Sequence, residues 1–218
     1  MQPLLPVTRN LMIACLAVLV LQHVPLLKVE DWFALWPIVP GLTSFWPVGA
    51  GSFMPWQLIT YAFLHSPNDP THLLFNMLGL YMFGTELESL WGPKRYLQYL
   101  AASAAAAALA QLAFSFVFQS YAPTIGASGA IFGLLLANGM LFPHRPIGLF
   151  MIIPTDMRTA VIVFGVLELL FGVYSGGGGM VAHFAHLGGM VGGYLMLLWW
   201  RRRPPSHRRK SAPLRRVH

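Results

Sequence analysis

A hydroxyl and an imidazole stand at the starts of two apolar runs. Gly126-Ala127-Ser128-Gly129 opens the run Ala130 to Phe142, and 58 residues later His186 opens the run Leu187 to Trp200. Serine is a weak nucleophile until a nearby base takes its proton, and histidine is the usual base. Ionisable groups inside a bilayer are rare and point to function. Held within ~2.6–3.2 Å of each other, the two side chains could hydrolyse an acyl bond. Neither compels that alone: a serine at a helix start is ordinarily an N-cap, and a lone histidine can be satisfied by packing and hydrogen bonds.

The elements that must position this pair are membrane helices. The 218-residue chain is 56% hydrophobic and 10% charged, where soluble domains carry about 25% charged residues. Its mean hydropathy is +0.60. At roughly 20 residues per span, the length admits six. They are expected at Leu11 to Leu27, Thr71 to Trp91, Tyr96 to Phe118, Ser128 to Pro143, Arg158 to Tyr174 and Val181 to Trp200. The first resembles a signal peptide but lacks a small-residue cleavage site and reads as a retained anchor. Residues 28–60 form a long first loop whose Trp32, Trp36, Trp46 and Trp56 suit the membrane interface. Gly92-Pro93 ends the second span, residues 143–157 form a loop skimming the interface, and Gly176 to Gly179 form a flexible link. The fold class is therefore an all-α membrane protein: residues 1–200 a six-helix domain, residues 201–218 a basic, disordered tail. The single cysteine, Cys15, cannot form an internal disulfide and reads as core.

Charge orients the bundle. Eight of the 14 Lys/Arg follow residue 200, and a cluster directly after an apolar helix reads as a cytoplasmic tail facing anionic headgroups rather than as a nucleic-acid site. With both termini in the cytoplasm, Arg9, Lys94, Arg95, Arg145, Arg158 and the tail lie inside, and only Lys28 lies outside. Ser128 and His186 then start helices that descend from the external side. At ~1.5 Å per residue, Ser128 lies roughly 21 Å, His186 roughly 22 Å and Asn76 roughly 24 Å above the cytoplasmic boundary. All three share one level in a core ~30 Å thick. His72 sits one turn above Asn76 on the same face. Gly126, Gly129 and Gly133 surround Ser128, while Gly189 and Gly193 follow His186 on its own face. Such small-residue surfaces allow near backbone-to-backbone helix contact.

Gly126-Ala127-Ser128-Gly129-Ala130-Ile131-Phe132-Gly133, Ala185-His186-Leu187-Gly188-Gly189 with Gly193, His72-Leu73-Leu74-Phe75-Asn76, and Gly84-x3-Glu88-x3-Gly92 together resemble the rhomboid family of intramembrane serine proteases. The resemblance covers nearly the whole chain. It implies a six-helix rhomboid bundle in which Ser128 is the nucleophile and His186 the base, a dyad without a carboxylate. It implies an oxyanion site formed by His72, Asn76 and the Ser128 amide, a ring at Phe132 packing on the base, and structural support from Gly126, Gly129, Gly189, Gly193 and Glu88. It further implies a multi-pass protein of the bacterial inner membrane cleaving single-span membrane proteins, with no cofactor, metal or nucleic acid. The loop lacks the Trp-Arg pair of some relatives, and Phe132 lacks the hydroxyl of the tyrosine some carry.

His183 rivals His186 but lies about 4.5 Å nearer the external surface and lacks the same glycine phasing. His23, His65 and His144 fall in or near loops, without an expected chemical role. Glu168, mid-span in the fifth helix, reads as a neutral or hydrogen-bonded packing residue rather than a third triad member; bilayer burial leaves a functional role open. An inactive rhomboid-like protein that binds membrane helices should lack Ser128 or His186. A transporter should show repeat halves around a midplane site, and neither is present.

Overall fold

Prolines begin several helices of this chain and one glycine breaks the longest. The computed structural model describes residues 3–38, 52–149, 152–175 and 182–202. Part of the expected first loop, the glycine link and nearly all of the basic tail therefore lie outside the described residues. Helix α1 spans Pro6–Gln22, with Pro6 where no amide is needed. No side chain of its own caps it; the buried Glu88 carboxylate takes the amides of Val7 and Thr8, each at 2.8 Å, and the Thr8 hydroxyl at 2.8 Å. A carboxylate there meets both the unpaired donors and the positive end of the helix dipole.

Two short helices, α2 (Val29–Phe33) and α3 (Gln57–Thr60), belong to the first loop. Gln57, fully buried, ties the loop together: its oxygen accepts from the amides of Trp36 and Met54, and its nitrogen donates to the carbonyls of Trp32 and Ser52. Helix α4 (Pro70–Gly79) starts at Asp69, whose carboxylate accepts from the Thr71 amide at 3.0 Å. One π turn, Leu80–Gly84, joins it to α5 (Thr85–Phe118). The dihedrals of α5 leave the helical region at Gly92 (φ 75°, ψ 166°), before Pro93, so the break falls at the glycine–proline pair marked by the sequence.

Helix α6 (Ser128–Leu141) is followed by strands β1 (Pro146–Leu149) and β2 (Ile153–Asp156), then α7 (Met157–Ser175) and α8 (His183–Arg202). The strands pair antiparallel, Pro146 opposite Asp156 and Leu149 opposite Ile153. This hairpin falls where residues 143–157 are expected to be loop, in a chain that is otherwise mostly helical. Its four-residue strands are too short for a periodic signal, and pairing satisfies backbone groups that an apolar loop would leave open. Among the described residues, Pro70–Phe118 and Met157–Tyr174 are long and apolar enough to cross a membrane, and the bent pair Pro6–Gln22 with Pro25–Phe33 would make a third. Helix α6 is a shorter apolar helix of 14 residues.

Helices α5, α6 and α8 form the centre, and glycine sets their spacing. A Cβ on Gly189 would lie 2.6 Å from the Gly129 carbonyl carbon, and one on Gly188 2.8 Å from the Ala106 carbonyl oxygen. These obstacles are backbone and cannot turn aside. Tyr99 and Tyr61, buried between helices, donate their hydroxyls to the Gly133 and Ala104 carbonyls at 2.7 and 2.9 Å.

Candidate active site

Ser128 is the first residue of α6, and Ala127 occupies the cap position. Its hydroxyl is therefore not used as an N-cap; Oγ lies 2.7 Å from His186 Nε2. The segment before it is held on both sides. Leu35 and Thr124 exchange two backbone hydrogen bonds of 2.9 Å, and the Gly126 amide donates to Tyr61 O at 3.0 Å. Gly126 has φ +115°, and a Cβ there would fall 2.7 Å from His72 Nε2. Conformation and space both demand glycine at this turn.

His186 lies in the first turn of α8, its amide bonded to Ala182 O. Phe132, one turn after Ser128 on α6, stacks on its ring with centroids 4.3 Å apart and planes inclined by 5°. Phe164 of α7 meets the far ring edge-on, at 6.4 Å and 85°. Stacking and the Ser128 bond together limit the rotation of the imidazole.

His72 Nδ1 accepts from the Ser66 amide at 3.2 Å. In the neutral ring the proton then resides on Nε2, the atom that faces Gly126. Asn76 Nδ2 donates to His72 O at 2.7 Å, which fixes the amide orientation, since that carbonyl can only accept. Its second N–H is left for another acceptor. His72, Asn76, Ser128, His183 and His186 share one cavity of about 710 Å³. His65 is fully buried beside His72, ring centroids 5.2 Å apart, and burial pushes its imidazole down to about 4. It is thus held neutral at physiological pH.

Glu168 reaches this cluster from α7. Its Oε2 lies 2.7 Å from His183 Nδ1 and 2.9 Å from His186 Nδ1. The three side chains each offer one ligand atom within 4.8 Å of the others. Two ligands of one tetrahedral zinc ion at ~2.0–2.1 Å would stand roughly 3.3 Å apart. Glu168 stands closer than that to each histidine, at the spacing of hydrogen-bonding groups.

Positions 52–203, well over half the chain, match the family described as Rhomboid domain. The chain belongs to the rhomboid family. It is 35% identical over 146 residues to "Rhomboid protease GluP" of Bacillus subtilis (strain 168), covering 64% of this chain and 25% of that protein. It is 26% identical over 192 residues to "Rhomboid protease GlpG" of Yersinia pestis (strain Pestoides F) and of Yersinia pseudotuberculosis serotype O:3 (strain YPIII), covering 87% of this chain and 61% of each relative. The chain thus spans about a quarter of the first relative and under two thirds of the others. Family and apolar helices together mark an integral membrane protein.

Within this rhomboid, the structure brings together Ser128, His186, His72, Asn76, Phe132 and Gly126. Gly129 and Gly189 meet beneath them, and a Cβ on Gly193 would lie 2.9 Å from Tyr99 Cζ. Glu88 stands apart at the α1 terminus. His183 faces Glu168 rather than Ser128. Sequence reasoning took Glu168, a carboxylate within an apolar run, as a neutral or hydrogen-bonded packing residue and did not foresee its contacts with His183 and His186. It also missed Asn138, buried on α6, which donates to Phe83 O at 3.1 Å and so pairs a carbonyl of the π turn.

Proposed function

We propose that this rhomboid is a serine-type intramembrane endopeptidase. Ser128 is the nucleophile, His186 the base, and His72, Asn76 and the Ser128 amide the oxyanion donors. The observation that carries the reading is the 2.7 Å contact between Ser128 Oγ and His186 Nε2 at the cavity shared with His72 and Asn76. His186 accepts the hydroxyl proton through Nε2 as Ser128 attacks a peptide carbonyl. The developing oxyanion meets His72 Nε2–H, the spare Asn76 N–H and an amide at the start of α6, where intrahelical partners are lacking and the dipole favours negative charge. As the peptide C–N bond breaks, His186 returns the proton to the leaving amine. Water entering by the cavity then hydrolyses the acyl-enzyme, with His186 again as base.

The substrates are single-span membrane proteins whose helix unwinds near the cleavage site, since a helical peptide bond is shielded by its own hydrogen bonds. The bundle has six spans, the termini are cytoplasmic, and cleavage occurs near the external face of a bacterial inner membrane. The test is covalent labelling by a fluorophosphonate, together with cleavage of a reconstituted single-span substrate. Both are expected in the unaltered protein and lost in Ser128→Ala. Full cleavage by Ser128→Ala would sink the assignment.

A further inference from the structure

Glu168 lies in Val166-Leu167-Glu168-Leu169-Leu170 on α7. Val166, Leu169 and Leu170 are exposed, whereas the Glu168 side chain is 13% exposed and turned inward. Its face is the one that packs: Phe164, one turn before, meets Phe132, and a Cβ on Gly172, one turn after, would lie 2.9 Å from Phe184. An ionisable group in apolar surroundings needs partners, and both partners of this carboxylate are histidines of the first turn of α8.

We propose that Glu168 is a positioning residue for His186, extending the pair to a serine–histidine–glutamate chain. This inference rests on the Ser128–His186 reading above. To take the serine proton, Nε2 must be bare, so the neutral ring must carry its hydrogen on Nδ1. Nδ1 is buried, makes no aligned hydrogen bond, and has Glu168 Oε2 at 2.9 Å. A carboxylate can only accept, so it favours the tautomer with Nδ1–H even though the contact lies off the N–H axis. When His186 becomes imidazolium, the negative charge already stands beside it, as the buried carboxylate does in soluble triads. His183 fixes the other side of the arrangement by donating Nδ1–H to the same oxygen at 2.7 Å. This departs from the carboxylate-free dyad implied by the family resemblance.

The test is the ¹⁵N spectrum of histidine-labelled full-length protein in lipid, with His186 assigned through His186→Ala, alongside steady-state cleavage of a single-span substrate. The unaltered protein is expected to show His186 as the Nδ1–H tautomer. Glu168→Gln should shift it towards Nε2–H and lower kcat roughly 10²-fold with KM little changed; Glu168→Asp should restore part of both. An Nε2–H tautomer in the unaltered protein overturns the proposal, with no variant required to fold. So does unchanged kcat in Glu168→Gln, or a lower kcat with the tautomer unmoved, which would mean a packing role. A protein that takes no fluorophosphonate at Ser128 overturns the dyad and this inference together. Labelling with the wrong tautomer overturns this inference alone.

Discussion

At the residue scale, three side chains near Ser128 are each constrained from a second direction. Ser66 sets the His72 tautomer, the His72 carbonyl sets the Asn76 amide, and Phe132 holds the His186 plane. Donors fixed in advance need no reorganisation when charge develops, which is why removing one typically lowers rates by about 10²–10³. Asn76→Ala is expected to lower kcat by roughly 10², leave KM little changed and still permit slow fluorophosphonate labelling. Single-turnover and steady-state cleavage measure this; an unaltered kcat would remove Asn76 from the oxyanion site. Ser128, His186, His72 and Asn76 were all legible in the sequence, because polar groups at one depth in apolar runs are conspicuous. The place of Glu168 was not, since helical phase shows which face a residue occupies but not which helix that face meets.

At the element scale, the site depends on helices that touch through backbone. Gly189 of α8, three residues after His186, lies against Gly129 of α6, which directly follows Ser128. Gly92 offers the contrast: φ is +75° and nothing lies within 4 Å of an added Cβ. Gly189→Ala should force α6 from α8, destabilising by about 1–3 kcal/mol and reducing cleavage more than stability alone explains. Gly92→Ala should carry only backbone strain of roughly 1–2 kcal/mol and keep its activity once folded. Thermal unfolding in detergent and cleavage rates compare them, and equal rates in both variants would contradict the geometry. The break at Gly92 was legible, because glycine followed by proline interrupts a helix wherever it lies. The β1–β2 hairpin was not, because its strands are too short to declare a period.

At the scale of the whole molecule, the proposed orientation rests on the distribution of charge, with Lys28 assigned outside and Lys94 inside. The single cysteine, Cys15, is buried, which favours a test by accessibility. In a Cys15→Ala background, Lys28→Cys should react with an impermeant maleimide on intact cells, and Lys94→Cys only after permeabilisation. The reverse pattern would invert the topology.

Composition and pattern by themselves determined the membrane class, the family resemblance and the candidate serine, histidines and asparagine, because these depend on residue type and spacing along one chain. Tertiary structure alone decided that Glu88 caps α1 from 80 residues away and that Glu168 stands between His183 and His186. Contacts between helices depend on their relative rotation and separation. Those follow from packing of all the faces at once, and no single segment encodes them.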